Sequence, residues 1–226
     1  MEAIINLPYI LAEILFVFGI KMLGNASTAR RGNRLSSLGM GLAVAVTLLD
    51  TELSYLLVAA ALATGAVLGF IAAKRVQMTG MPELVALFNG FGGLASLLVG
   101  AAEYQRAYAA LNGWQPGDMQ SAASASFGEF TAAVTVLAIL IGGITFTGSI
   151  YAWGKLSGLL GGSARTFAGQ KAFNALLALG IIGCGISFAL DPTGNSAYPA
   201  LLGVIALSLL LGIFAVMPIG GGDMPV

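Results

Sequence analysis

The sequence has no histidine, a single cysteine and few charged residues. Without histidine there is no imidazole to carry a proton near neutral pH, so a titrating group within the chain would have to be a carboxylate. One cysteine, Cys184, allows neither an internal disulfide nor a cysteine metal cluster. Charged residues are 9% of the chain, whereas a soluble domain carries about 25%. Hydrophobic residues are 58% of it, which is typical of a protein that crosses a membrane repeatedly.

The ten basic residues are concentrated in alternate gaps between the apolar runs. They form no continuous stripe with aromatic side chains, so no nucleic acid is expected as a partner. Arg106 is the one basic residue outside the first, third and fifth gaps. The other nine lie in or beside those gaps: Lys21, Arg30, Arg31, Arg34, Lys74, Arg75, Lys155, Arg165 and Lys171. Because cytoplasmic loops are enriched in Lys and Arg, these gaps are predicted to face the cytoplasm and the N-terminus to lie outside.

Seven segments are apolar and nearly long enough to span the roughly 30 Å hydrocarbon layer as helices. They run from Ile4 to Met22, Leu35 to Leu49, Leu53 to Ala73, Met81 to Ala102, Phe130 to Trp153, Ala172 to Leu190 and Ala197 to Met217. The sequence therefore predicts an all-α, polytopic transmembrane helix bundle with about seven helices. A longer loop, from about Tyr104 to Gly128, is expected on the outer side.

The fourth segment places an amide, Asn89, about two turns into the hydrocarbon. Asn89, Gly93, Ser96 and Gly100 recur at helical spacing and so share one face of the helix. A polar group at this depth is costly unless it is hydrogen-bonded, so this face either bonds to a neighbouring helix or borders a hydrated path. The same segment contains a match to a dinucleotide-binding glycine pattern, which we reject because it lies inside an apolar helix, not between a strand and a helix.

The fifth segment carries a stripe of small or polar residues along its whole length: Thr135, Ala138, Gly142, Thr145 and Ser149. Such a stripe can line a hydrated passage, or it can pack against another helix while the hydroxyls bond to backbone carbonyls. With Asn89, we expect Ser149, Thr145 and Ser96 to border such a passage if the first alternative holds.

Three of the glutamates in or beside the predicted helices are candidates for a role in the chemistry. Glu13 is in the middle of the first segment, where a charge is expensive, so it is a candidate buried acid that we expect to be neutral or paired. Glu83 follows Pro82 at a predicted helix start, where a carboxylate favours the positive end of the helix dipole. Glu129 is expected to have a similar dipole or interface role.

Several strings resemble the membrane domain of the β subunit of proton-translocating NAD(P) transhydrogenase. They are residues 74–86 (KRVQMTGMPELVA), 146–149 (FTGS), 154–156 (GKL) and 220–226 (GGGDMPV). The resemblance runs in order over the whole chain. It implies an inner-membrane protein that couples inward proton movement to hydride transfer from NADH to NADP⁺.

The resemblance also implies that other modules do the hydride chemistry. An α subunit would supply membrane helices and the NAD-binding domain, and the β subunit's own C-terminal domain would bind NADP on the cytoplasmic side. Residues 1–226 would then be a membrane fragment of a nine-helix bundle, lacking two further helices and the nucleotide domain. The resemblance implies a homodimer and assigns no cofactor or metal to this chain.

Family roles fall on four positions of this sequence. Asn89 stands where many members have a histidine proposed to carry the proton, so here the resemblance implies that an α-subunit helix contributes the imidazole. Ser149 matches a serine on the proton path. Glu83 and Asp223 match acidic positions thought to communicate with the NADP domain. An unrelated secondary transporter or ion channel for a small solute is the alternative function.

Overall fold

The computed structural model describes residues 2–49, 54–111 and 128–224, and within them the chain is helical with no strand. Seven long helices follow one another: α1 Glu2–Leu23, α2 Ala29–Thr47, α3 Tyr55–Arg75, α4 Met81–Leu111, α5 Glu129–Leu156, α6 Gln170–Leu190 and α7 Ala197–Val216. Two short 3₁₀ turns occur at Met78–Gly80 and Gly221–Asp223. The prediction of an all-α membrane protein with about seven helices in this chain is confirmed.

Two helix boundaries differ from the prediction by more than three residues. Helix α2 begins at Ala29 instead of Leu35, so Arg30, Arg31 and Arg34 belong to its first turns and not to a loop. Helix α4 continues to Leu111, so the expected outer loop does not start at Tyr104, whose side chain is only 1% exposed. Tyr104 packs its ring edge-on against Phe188, 5.2 Å between centroids, and this contact explains why the helix continues past Ala102. Residues 112–127 lie outside the described part of the chain.

Residues 1–71 form one compact unit. Helices α1 and α2 pack closely because small residues, Gly19, Gly32 and Gly39, lie between them. A Cβ placed on Gly32 would lie 2.6 Å from the carbonyl oxygen of Gly19. A hydrogen bond of 3.0 Å between the Tyr9 and Thr47 hydroxyls joins the two helices at their other end.

Residues 72–226 form the second unit, in which α5 packs against both α4 and α7. Helix α6 packs mainly against α7. The buried core is apolar and includes Ile139 of α5, Ile181 and Phe188 of α6, and Leu201 and Val204 of α7. Helix α5 is thus the shared element on which the neighbouring helices are positioned.

Five helices of the described residues, α3 to α7, are long and apolar enough to cross a membrane. Many large apolar side chains point away from the chain, such as Leu56, Leu68 and Leu176. In a bilayer these side chains face acyl chains or another subunit, so their exposure is not a cost. That α1 and α2 also span the membrane stays a prediction.

Candidate functional site

The structure brings Asn89 and Ser149 together where α4 contacts α5. The Asn89 side-chain amide donates a hydrogen bond of 2.9 Å to Ser149 Oγ. Ser149 is buried, with 8% of its surface exposed, whereas Asn89 is exposed at the surface of this chain. The amide nitrogen is therefore paired within the chain, although Asn89 as a residue is exposed.

Glycines allow α4 and α5 to approach closely enough for this bond. A Cβ on Gly93 would lie 2.7 Å from the Phe146 backbone nitrogen, and one on Gly142 would lie 2.6 Å from the Gly93 carbonyl oxygen. Gly100, about two turns further along α4, fits against Ile139 in the same way. The two small-residue faces predicted from the sequence are thus the faces that the two helices present to each other.

Ser96 and Thr145, the other two predicted path residues, lie at the same contact. The Ser96 hydroxyl donates a hydrogen bond of 3.1 Å to the Ala138 carbonyl oxygen of α5. Thr145 is half-buried, and its Cβ would be 2.8 Å from a Cβ on Gly93. All four residues are brought together, and their contacts within this chain are those of directly packed helices.

Three cavities found in the described residues lie away from these four side chains. One of about 280 Å³ is lined by the other side of α5, by α7 and by Leu159 and Leu160. A second, of about 380 Å³, lies between α1 and α2, and a third, of about 510 Å³, lies at the start of α6. That Asn89, Ser149, Thr145 and Ser96 border a proton path therefore stays a prediction.

The acidic candidates are dispersed. Glu83 lies in the first turn of α4, where its carboxylate faces the positive end of the helix dipole. Asp223 is exposed in the 3₁₀ turn after α7. Glu13 is exposed on the surface of this chain and lines the cavity beside α2, and that it is a buried acid stays a prediction. The side chain of Glu129 lies outside the described residues.

A buried lysine is the feature that the sequence reasoning missed. Lys155 was expected at the edge of a cytoplasmic gap, yet it belongs to the last turn of α5 and is 2% exposed. Its ammonium group donates hydrogen bonds of 2.6 Å to the Met217 carbonyl oxygen and 2.7 Å to that of Ile219. Only Pro218, which interrupts the bonding at the end of α7, could have signalled from the sequence that free carbonyls lie there.

Pro218 leaves the carbonyl oxygen of Phe214 without its usual helical partner, because proline has no N–H. Two side-chain amides of α6 replace that donor: Gln170 Nε2 at 2.9 Å and Asn174 Nδ2 at 3.3 Å. Gln170 is 7% exposed. The open end of α7 is thus satisfied by donors from both α5 and α6, as buried carbonyls require.

The described residues contain no group of three or more His, Cys, Asp or Glu side chains placed to hold a metal ion. Their polar contacts instead join helices to each other. The chemistry available at the α4–α5 contact is hydrogen bonding by an amide and hydroxyls, none of which titrates near neutral pH.

Comparison with known proteins identifies a family that the sequence of this chain matches. The sequence profile of the family described as "NAD(P) transhydrogenase beta subunit" matches residues 5–226. The chain is 35% identical over 221 residues to the NAD(P) transhydrogenase subunit beta of Rhodospirillum rubrum, covering 96% of this chain and 44% of that protein. The protein of the same name from a particular strain of that organism gives the same values. The chain thus spans less than half the length of these curated relatives.

Proposed function

Because this chain belongs to the family of NAD(P) transhydrogenase β subunits, we propose that it is the proton-translocating membrane part of such a subunit. It couples inward proton flow to hydride transfer from NADH to NADP⁺. The α subunit is its partner and contributes membrane helices and the NAD-binding domain, while NADP is bound by a C-terminal domain of the β subunit itself. No hydride-transfer step is assigned to residues 1–226.

The observation that carries the proposal is the bond between Asn89 and Ser149. An amide does not titrate, so Asn89 cannot itself hold the transported proton. It can, however, fix the position of a water or of a titrating group on a helix that packs against it. Asn89 is exposed on this chain with its nitrogen already paired, so its carbonyl oxygen is the group available to accept a hydrogen bond from an α-subunit helix.

The energy available to such a coupling is substantial. Moving one charge through 100 mV yields about 2.3 kcal/mol, which shifts a coupled redox ratio about fifty-fold. To use it, the path must open to one side at a time, and its state must depend on nucleotide occupancy. We assign Glu83 and Asp223 to communication with the NADP domain, since both lie at ends of helices predicted to face the cytoplasm.

The remaining parts of the proposal concern location and assembly. The protein is a multi-pass protein of the inner membrane with its N-terminus outside and the nucleotide domains in the cytoplasm. This orientation rests on the distribution of Lys and Arg between the loops. The complete complex is a homodimer of α and β assemblies.

The test uses the complete α and β complex in liposomes and measures nucleotide-dependent proton uptake and hydride transfer separately. Asn89→Leu and Ser149→Ala should each lower proton-coupled turnover about tenfold, which corresponds to about 1.4 kcal/mol. Because the two side chains bond to each other, the double variant should lose much less than the sum. Ser187→Ala, which removes an exposed hydroxyl of α6, is the matched control and should behave as the unmodified complex does.

Two results would contradict the proposal. One is additive loss in the double variant, because independent effects would mean that the bond has no part in coupling. The other is movement of a solute by this chain alone in liposomes without nucleotides, which would favour the alternative of a separate transporter or channel.

A further inference from the structure

The chain that leaves α7, residues 217–223, is held against the end of α5. We call this segment the α7 exit; it contains Pro218 and ends at Asp223. Besides the two bonds from Lys155, the Arg165 N–H donates to the Met217 carbonyl oxygen at 3.2 Å, and the Gly221 N–H donates to that of Gly162 at 2.9 Å. The α7 exit is therefore attached to α5 and to the connection that follows it.

Lys155 provides the strongest of these attachments. A buried ammonium group is costly unless it is fully hydrogen-bonded, and a charge-assisted bond is about twice as strong as a neutral one. Within the described residues no salt bridge is found between Lys155 and a carboxylate. Its negative partners are instead the carbonyl oxygens at the C-terminal end of α7, where the helix dipole is negative. The Tyr151 ring, 5.3 Å away, adds a cation–π contact.

Lys155 lies between the turn that carries Asp223 and the Asn89–Ser149 pair. A Cβ on Gly221 would lie 3.6 Å from the carbonyl oxygen of Lys155 itself, so the turn that carries Asp223 packs directly on the end of α5. Ser149 lies earlier on α5: it precedes Lys155 by six residues, about 9 Å along the helix. A helix transmits a displacement over that distance because its backbone is internally hydrogen-bonded.

We propose that Lys155 is a positioning residue that ties the α7 exit, and with it Asp223, to α5, so that the exit and the Asn89–Ser149 pair move together. This proposal rests on the proposed function, because it names the mechanical connection between the nucleotide side and the α4–α5 contact. A lysine that only stabilised the end of α7 would affect the amount of folded protein but not the ratio of protons to hydrides.

The experiment compares Lys155→Met, Lys155→Arg and the control Lys171→Met in the complete α and β complex in liposomes. Lys171→Met removes a lysine that is predicted to lie on the same side of the membrane but is exposed, at the start of α6. Lys155→Met should lower protons moved per hydride transferred by about tenfold, within the usual range of coupling between sites, while hydride transfer in uncoupled vesicles stays within about twofold. Lys155→Arg, which keeps a charged donor, should recover most of the ratio, and Lys171→Met should not change it.

An unchanged ratio of protons to hydrides in Lys155→Met overturns the proposal. Absence of nucleotide-dependent proton flux in the unmodified complex would instead overturn the proposed function, so the two failures are distinguishable. If Lys155→Met does not fold, amide hydrogen exchange in the unmodified complex decides the matter. Adding NADP(H) should change exchange in the α7 exit and in the last turn of α5 together, and a change confined to one of them, or to neither, overturns the proposal.

Discussion

Replacing Gly93 by alanine tests whether the close approach of α4 and α5 supports the Asn89–Ser149 bond. The new Cβ would lie 2.7 Å from the Phe146 nitrogen and 2.8 Å from the Gly142 carbonyl oxygen. Both are backbone atoms, so no side chain can rotate to relieve the clash, and the helices must separate. Restoring a contact of about 3.5 Å requires a separation of about 0.8 Å.

The consequence for the hydrogen bond follows from the same displacement. Moving α4 by that amount would lengthen the 2.9 Å bond between Asn89 and Ser149 to about 3.7 Å, beyond the length of a hydrogen bond. Overpacking costs about 1–3 kcal/mol, and loss of the bond adds about 1 kcal/mol. We therefore expect Gly93→Ala to destabilise the protein by about 2–4 kcal/mol relative to its control.

The control is the adjacent glycine of the same helix. A Cβ on Gly92 would meet nothing within 4 Å, so Gly92→Ala gains the same helix propensity without a clash. The two variants are compared by reversible unfolding of the complete complex in detergent and by nucleotide-dependent proton uptake in liposomes. Equal stability and equal proton uptake in the two variants would refute the argument, because it would mean that α4 and α5 need not approach closely.

Two further predictions concern the other contacts of the second unit. At the α5–α7 contact, a Cβ on Gly212 would lie 2.5 Å from the Ile144 carbonyl oxygen, whereas one on Gly183 of α6 would meet nothing within 4 Å. Gly212→Ala should therefore lower the unfolding free energy by about 1–3 kcal/mol relative to Gly183→Ala, measured by detergent unfolding. Phe188 is 0% exposed and Ile186 is 54% exposed, so Phe188→Ala should cost about 3–5 kcal/mol in the same assay. A cost for Ile186→Ala as large as that for Phe188→Ala would contradict the assignment of the core.

Much of the fold could be predicted from the sequence because the bilayer imposes a simple rule. Backbone groups in hydrocarbon must bond within their own segment, so apolar runs of about 20 residues become helices. The prediction was weakest at α2 and α4, where the helices continue beyond the apolar run. Hydropathy does not detect such extensions, because the arginines of α2 and the polar residues after Ala102 in α4 lower the mean hydropathy without interrupting the helix.

The candidate site, too, could be predicted only in part from the sequence. Helical spacing grouped Asn89 with Gly93 and Ser96, and Thr145 with Ser149, because residues three, four or seven apart share a face. Spacing cannot show which faces meet, since each helix has several faces of small residues. Gly92 and Gly93 are chemically identical neighbours, yet only Gly93 contacts α5.

The burial of Lys155 could not be predicted from the sequence alone. Its type and position matched the basic residues that lie at the cytoplasmic side of membrane helices. That rule describes a charge in contact with water, whereas the Lys155 ammonium group is buried against the Met217 and Ile219 carbonyl oxygens. The linear order of residues determined the helices and their polar faces. The tertiary structure alone decided which helix ends meet, because those carbonyls lie 62 and 64 residues away along the chain.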